Sequence, residues 1–344
     1  MSRHVGLRTV RRPAAVACTV LAFALMSAAC GGTAGSSAKG GGAAPDGRKA
    51  AARTPATAAV DLSSCGKDSR VVQGDNGPVT VSGTPKRVVA LEFSFVDALA
   101  NVGITPVGVA DDGDPKRIID PVRQKIGPYT SVGLRQSPNL QVIKSLKPDL
   151  IIADPKRDSA VEKQLESIAT TVSLPSSVAD YAETLVTEQQ IGLAVNACDR
   201  MSAALAAHKK VMDQLKSELP AGGKGKVMFA VASEKAFSAQ TPRGFAPTVL
   251  GYLGLETTPS STTDVSVGMT LETMVTTAPD VLFVAHNTAK TLSDQWQGSS
   301  LWKTIPAVKG NADFPVDGNV WSKSRGTAAA ELIAREAIKD LTGK

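Results

Sequence analysis

The sequence predicts an α/β protein: two Rossmann-like lobes joined by one long α-helix, with a ligand cleft between the lobes. Three observations carry this expectation. Short apolar runs (Val88–Leu91, Val107–Ala110, Leu150–Ala153) alternate with helical patterns (Phe95–Val102, Leu140–Leu146), as in a parallel α/β layer. The same grammar then recurs. Leu99-Ala-Asn-Val-Gly-Ile104 matches Leu250-Gly-Tyr-Leu-Gly-Leu255, and Leu140 followed by Pro148–Asp149 and an apolar strand matches Leu271 followed by Pro279–Asp280 and another. Pro-Asp before a strand is also common turn chemistry, but two elements in the same order favour two similar lobes. Between the halves, 181–219 holds the longest helical pattern of the chain.

Taken in order, residues 1–29 read as an export signal. A basic start (Arg3, Arg8, Arg11, Arg12) leads into the apolar run Ala14–Met26 and then small Ser27, Ala28 and Ala29. The run is too short to span a bilayer. It resembles a bacterial lipoprotein signal, with Cys30 as the lipidated first residue of the mature protein and Ser27 where Leu is typical. An ordinary cleavage site with an incidental Cys30 is the alternative. Residues 30–59, rich in Gly, Ala, Ser and Thr, read as a flexible tether. The N-terminal lobe is expected over 60–180, with a strand at Val79–Val81, the 87–154 layer, a helix at Ser159–Ile168 and a strand at Thr171–Leu174. Connecting helices follow over 181–219: Tyr181–Val195, then Ala197–Leu219, the latter about 33 Å long at helical rise. Asn196 with Asp199 resembles a capping box, and Pro220 through Gly223 ends the helix. The C-terminal lobe, 220–344, should hold a strand at Lys226–Ala232, a helix at Pro247–Leu253, a strand at Val281–Ala285 and a closing helix at Thr327–Leu341.

Charge and composition exclude several classes. Four arginines of the signal leave +2 of the formal +6, too little for a nucleic-acid partner. Beyond the signal only His208 and His286 remain, and no H-x-x-x-H or C-x-x-C is present, so no direct metal site and no resident cofactor is expected. Asp111, Asp112 and Asp114 lack calcium-loop spacing and read as a turn. No G-x-S-x-G, Walker or G-x-G-x-x-G motif exists. His208 lies mid-helix and reads as solvent-facing; His286 ends a strand, with no nucleophile to pair with. An enzyme is disfavoured. Cys65 and Cys198 are the two cysteines left for an exported domain; one disulfide between them, or two free thiols, are the alternatives.

Arginine is the informative residue. Arg117, Arg135, Arg157 and Arg325 each fall just after a strand or at a helix start, as does Arg243 in Gln240-Thr-Pro-Arg-Gly244. Guanidinium is permanently charged and forks to carboxylate oxygens, so several on one rim would take a polycarboxylate anion. Trp321 is expected as an apolar wall near Arg325, with Glu92 and His286 as polar groups at strand ends, where open α/β sheets bind ligands. The alternative for each arginine is a solvated surface charge or a local ion pair, such as Arg117 with Asp114.

From about Lys86 to Leu341 the chain resembles the binding proteins that serve iron–siderophore and vitamin B12 ABC importers, and within them the ferric-citrate-binding proteins. The residues that carry this are Ala90-Leu-Glu-Phe-Ser-Phe-Val-Asp-Ala-Leu99, Val109-Ala-Asp-Asp-Gly-Asp-Pro-Lys-Arg117, Ser131-Val-Gly-Leu-Arg135, Lys147-Pro-Asp-Leu-Ile-Ile-Ala-Asp154, Val284-Ala-His286 and Trp321-Ser-Lys-Ser-Arg-Gly326. The resemblance implies a lipid-anchored solute-binding protein on the outer face of the cell membrane. It would capture iron(III)-dicitrate, with iron held by its chelator, and deliver it to an ABC permease and its ATPase. Another siderophore (hydroxamate or mixed carboxylate), haem, or an envelope interaction role on the same fold are the alternatives. The resemblance also implies one acidic docking residue on each lobe: Glu272 fits, whereas Gln141 offers an amide without the charge.

Overall fold

The computed structural model describes residues 59–219 and 225–343. The signal, Cys30, the tether up to residue 58 and the Pro220–Gly223 helix stop lie outside the described residues. Val88–Ala90 is buried throughout, as a central parallel strand requires. Its sheet has the spatial order Thr130–Ser131, Gly108–Val109, Val88–Ala90, Leu150–Ala153, Thr171–Ser173, all parallel. The chain runs outward to one side, crosses back and runs outward to the other. The carboxyl ends of Val88–Ala90 and Leu150–Ala153 therefore flank a topological switch point. Side chains alternate across the sheet: Val88, Ala90 and Ile152 join one apolar cluster, Val89, Leu91 and Ile151 another.

The second sheet runs Ser266–Gly268, Phe237–Gln240, Lys226–Ala232, Val281–His286, Asp313–Val316, with Glu256–Thr257 pairing with the start of Lys226–Ala232. It is not a copy of the first. Phe237–Gln240 pairs antiparallel with Lys226–Ala232, because the chain folds back at once through a turn in which Ser233 N–H donates to the Ala236 carbonyl (2.8 Å). Val227 and Phe229 share an apolar cluster with Val88 and Ala90 of the first sheet, together with the helices Phe93–Asn101, Tyr181–Ala194, Phe245–Tyr252 and Thr327–Thr342. The lobes thus rest on a common core. Each large apolar side chain in it contributes about 1.5–3 kcal/mol on burial, so wide separation of the lobes is strongly opposed.

The internal repeat is visible in backbone geometry. Gly103 (φ 69°) and Gly254 (φ 91°) both take left-handed conformations that end their helices, and the following residues, Ile104 and Leu255, donate back to Leu99 (2.9 Å) and Leu250 (3.1 Å). Lys147 and Ala278, each before Pro-Asp, both sit at φ 47°. Asp149 then accepts from the backbone N–H of Lys86 (2.8 Å) and Arg87 (2.9 Å), and Asp280 from that of Lys226 (2.8 Å). In both lobes the Asp of Pro-Asp fastens the start of the neighbouring parallel strand.

Two expectations are corrected. The Asn196–Asp199 box does not form: Ala197 is the N-cap of Cys198–Glu218 and has no side-chain cap. Asn196, at φ 56°, instead accepts from Gly66 N–H (2.8 Å) and donates to the Thr84 hydroxyl (3.1 Å). His208 is not at the solvent. It is 5% exposed, because the Cys198–Glu218 helix lies against Tyr181–Ala194 and Thr327–Thr342. Its Nε2 is 2.7 Å from the Tyr181 hydroxyl and its Nδ1 is 2.8 Å from Glu331.

The start of the described chain is fastened to these helices. The hairpin Ser69–Gly74/Gly77–Ser82 precedes the first sheet, and only its Val79–Val81 part was expected. Buried Arg70 donates to the Leu193 (2.9 Å) and Ala194 (3.1 Å) carbonyls, closing the carboxyl end of Tyr181–Ala194. Cys65 and Cys198 are joined in a disulfide, Cα atoms 6.3 Å apart, across 133 residues of sequence. A loop that long gives a disulfide a large effect on unfolded-chain entropy. The double variant Cys65→Ser/Cys198→Ser is expected to lose about 2–4 kcal/mol in denaturant melts, and the native domain should titrate no thiol before reduction. Two free thiols in the unreduced domain would refute the bond.

Candidate functional site

The switch point of the first sheet opens toward the second lobe. Glu92 directly follows Val88–Leu91 and is the N-cap of Phe93–Asn101, yet its carboxylate does not cap that helix. It is fully buried and turned to arginines: Arg157 Nε lies 2.6 Å from Oε1, and Arg135 Nη1 3.3 Å from Oε2. The Arg157 N–H is not aimed at the oxygen, so that contact is a close charge pair rather than a directed hydrogen bond. Burial pushes the Glu92 carboxyl upward, against the pull of Arg135, Arg157 and Arg325.

Each arginine has its own support. Arg135 follows Gly133–Leu134 in a small hairpin, with its guanidinium 4.1 Å above the Phe93 ring and two nitrogens on Asp112 (2.8 and 3.0 Å). Arg157 is presented by a loop built on Asp154, which accepts from the backbone N–H of Lys156 (2.9 Å), Arg157 (2.8 Å), Ser176 (2.9 Å) and Ser177 (2.7 Å). Arg325 arrives from the other lobe, between the segment Asn319–Ser324 and the helix Thr327–Thr342. Its Nη1 is buried without an acceptor among the described residues. Burial lowers its pKa to about 10; Glu92 opposes this shift, while Arg157 and Arg135 add to it. Arg117, half-buried, reaches across to Asn319 of the second lobe at 3.4 Å, and forms no ion pair with Asp114.

One cation of this group was not anticipated. Lys323, half-buried, has its pKa lowered by burial and then by Arg117 and Arg135. Its signal was in Trp321-Ser-Lys-Ser-Arg-Gly326, two residues before Arg325. Asp112, read as part of a plain turn, is the ion-pair partner that orients Arg135. Both Asp112 (φ 58°) and Arg325 (φ 46°) hold left-handed backbone without being glycine, a strain of about 1–3 kcal/mol each that functional sites commonly retain. Arg117, Arg135, Arg157, Lys323 and Arg325 thus stand against Glu92, Asp112 and Asp154. Cations outnumber the carboxylates named here, and among the described residues Arg157 Nε and Arg325 Nη1 are buried without a directed acceptor. Such a site takes an anion with several oxygens.

Three other expected site residues lie elsewhere. Trp321 is 1% exposed and belongs to the core: its ring packs on Phe229 (5.3 Å) and Phe283 (4.7 Å), and its indole N–H donates to Glu336 (2.5 Å), so it offers no wall to a cleft. Arg243 is exposed in the turn before Phe245–Tyr252, with no ion pair or side-chain hydrogen bond among the described residues. His286 is exposed at the end of its strand, beside Asp294, and no bond ties it to the arginines. Gln141 and Glu272 are both exposed in the first turns of equivalent helices, Leu140–Ser145 and Leu271–Thr277. The amino end of its own helix and Thr270 hold the Glu272 carboxyl low. Among the described residues no cluster of His, Cys, Asp and Glu could hold a metal ion.

Two α/β lobes on a common core, with arginines from both gathered at Glu92, define the class. The model of the family described as Periplasmic binding protein matches residues 88–312, and the chain belongs to that family. It is a substrate-binding transport component and not an enzyme. The Fe(3+)-citrate-binding protein YfmC of Bacillus subtilis is 42% identical over 278 residues, covering 81% of this chain and 88% of the relative. The Fe(3+) dicitrate-binding periplasmic protein FecB of Escherichia coli is 39% identical over 269 residues, covering 78% and 89%. Among solved structures, Staphylococcus aureus SirA complexed with staphyloferrin B matches with a TM-score of 0.69 at 22% identity, over 79% of this chain and 98% of that one. That likeness bears on the fold.

Behind the arginines lies Asp158, 1% exposed, with Oδ2 accepting from Asp154 N–H (2.8 Å) and Oδ1 without a partner. Burial, then nearby Glu92 and Asp154, push its pKa to about 7. A carboxyl raised in the folded state binds a proton that the unfolded chain has released, so its contribution to stability falls as pH rises from about 4 to about 7. Asp158→Asn is therefore expected to melt higher than wild type at pH 8, with the gain vanishing near pH 4. A gain that grows toward acid pH would contradict this.

Proposed function

We propose that this protein is the exported solute-binding component of an ABC importer and that it captures an anionic ferric chelate, iron(III)-dicitrate, between its lobes. The observation that carries the reading is the set Arg135, Arg157 and Arg325 drawn around buried Glu92 from both lobes, with guanidinium N–H groups left without acceptors. Citrate bound to iron(III) keeps carboxylate oxygens on its outer surface, and a guanidinium fork matches them. Iron stays with its chelator, since the site supplies cations rather than ligands. The ferric citrate relatives support this choice of chelate. Lipid on Cys30 anchors the protein to the outer face of the cell membrane. Glu272 and Gln141, at equivalent helix starts on the two lobes, face the permease, which acts with its ATPase.

Calorimetry on the purified mature protein tests the binding site. Arg157→Gln and Arg325→Gln are each expected to weaken iron(III)-dicitrate binding about 10- to 100-fold, the scale of a lost charge-assisted bond. Binding of a neutral ferric hydroxamate, if any, should change little. Equal loss for both ligands, or no binding of ferric citrate by wild type, would contradict the assignment. For docking, Glu272→Lys should cut iron uptake in cells while leaving the dissociation constant unchanged; unchanged uptake would remove Glu272 from the permease contact.

A further inference from the structure

The helix that follows Arg325 is capped from outside. Thr327–Thr342 begins at Gly326, which has no side chain to satisfy the first N–H groups. Two buried carboxylates do so instead. Asp97, on the Phe93–Asn101 helix, accepts from Ala328 N–H (2.8 Å), and Glu188, on the Tyr181–Ala194 helix, accepts from Thr327 N–H (3.0 Å). Asn101 closes the set, donating to the Thr327 hydroxyl (2.8 Å) and to Glu188 (3.2 Å). Gly326 is what lets Asp97 approach, because a Cβ there would overlap its carboxylate.

We propose that Asp97 and Glu188 are positioning residues for the ligand site: they fasten the amino end of the last helix and thereby hold Arg325 beside Glu92. The inference rests on the anion-binding reading of that site. Arg325 needs holding, since it carries a left-handed backbone and a charged, half-buried side chain among other cations. The Asn319–Ser324 segment is closed on itself by Ser324, whose hydroxyl donates to the Asn319 carbonyl (2.7 Å), but the Thr327–Thr342 helix has no side-chain cap from its own N-cap residue. The clamp joins the first lobe and the connecting helix to the second lobe at the residue where the second lobe enters the site. Burial raises both carboxyl groups, Asp97 to about 6 and Glu188 to about 8, and the backbone N–H that each one caps pulls the other way.

A double-mutant cycle separates positioning from a general structural role. Asp97→Ala should weaken iron(III)-dicitrate binding about tenfold in the wild-type background and less than twofold in Arg325→Gln, while Asp97→Asn, which keeps an acceptor for Ala328 N–H, restores most of the affinity. Should Asp97→Ala not fold, Gly326→Ala displaces the same carboxylate and is expected to show the same coupling to Arg325. Hydrogen exchange on the ligand-free protein supplies a readout independent of the ligand: amides 325–330 should exchange faster in either variant. If wild type fails to bind ferric citrate, the functional reading falls and the exchange result alone decides the clamp. Equal affinity loss in both backgrounds, or unchanged exchange at 325–330 in a folded variant, would overturn the proposal.

Discussion

A carboxylate without water needs cations, and Glu92 sits fully buried at the end of a central strand. That single constraint arranges the region around it. Arg135 and Arg157 are held close by the first lobe, and Arg325 is drawn in from the second. Asp112 takes part of the charge of Arg135, and Glu92 with Asp154 faces the rest, while Arg117 and Lys323 add further positive charge. Glu92 therefore acts as the seed that assembles arginines in a space they would otherwise leave by mutual repulsion. The remaining positive charge is what an anionic solute meets.

The scaffold keeps this arrangement in place. Both sheets pack on one apolar layer of helices, which ties the lobes together. The switch point of the first sheet aims Glu92 and the Asp154 loop at the junction, while the π-helical segment Asn319–Ser324 delivers Lys323 and Arg325 from the opposite side. Two of the left-handed non-glycine residues, Asp112 and Arg325, lie in the site itself. Rigid support with local strain at the contact residues suits a protein that must present a preformed charged surface.

Much of this was legible in the sequence. The strands Leu150–Ala153 and Lys226–Ala232 fall where their apolar runs place them, because a fully buried strand leaves an unbroken signature. The repeat was legible because Gly103/Gly254 and the two Pro-Asp turns are backbone requirements that few residues satisfy. Arg135, Arg157 and Arg325 were found from their positions after strands or before helices. What was lost depended on long-range packing. Trp321 looks like a cleft residue beside Arg325, yet one helical turn is enough to bury it against Phe229 and Phe283. His208 sits among Ala and Lys and reads as exposed until the last helix covers it. Asp97 and Glu188 gave no signal, since their partners are backbone N–H groups far along the chain, and backbone donors are invisible in a sequence.

An anionic iron chelate seated among Arg135, Arg157 and Arg325 would keep its metal within the chelator. A crystal structure of the protein with iron(III)-dicitrate, with iron located by its anomalous scattering, tests this most directly. The expected result is an iron peak at the lobe junction, citrate carboxylates on the guanidinium groups of Arg157 and Arg325, and no protein atom in the metal's coordination sphere. Iron found away from these arginines, or ligated by Glu92 itself, would contradict it.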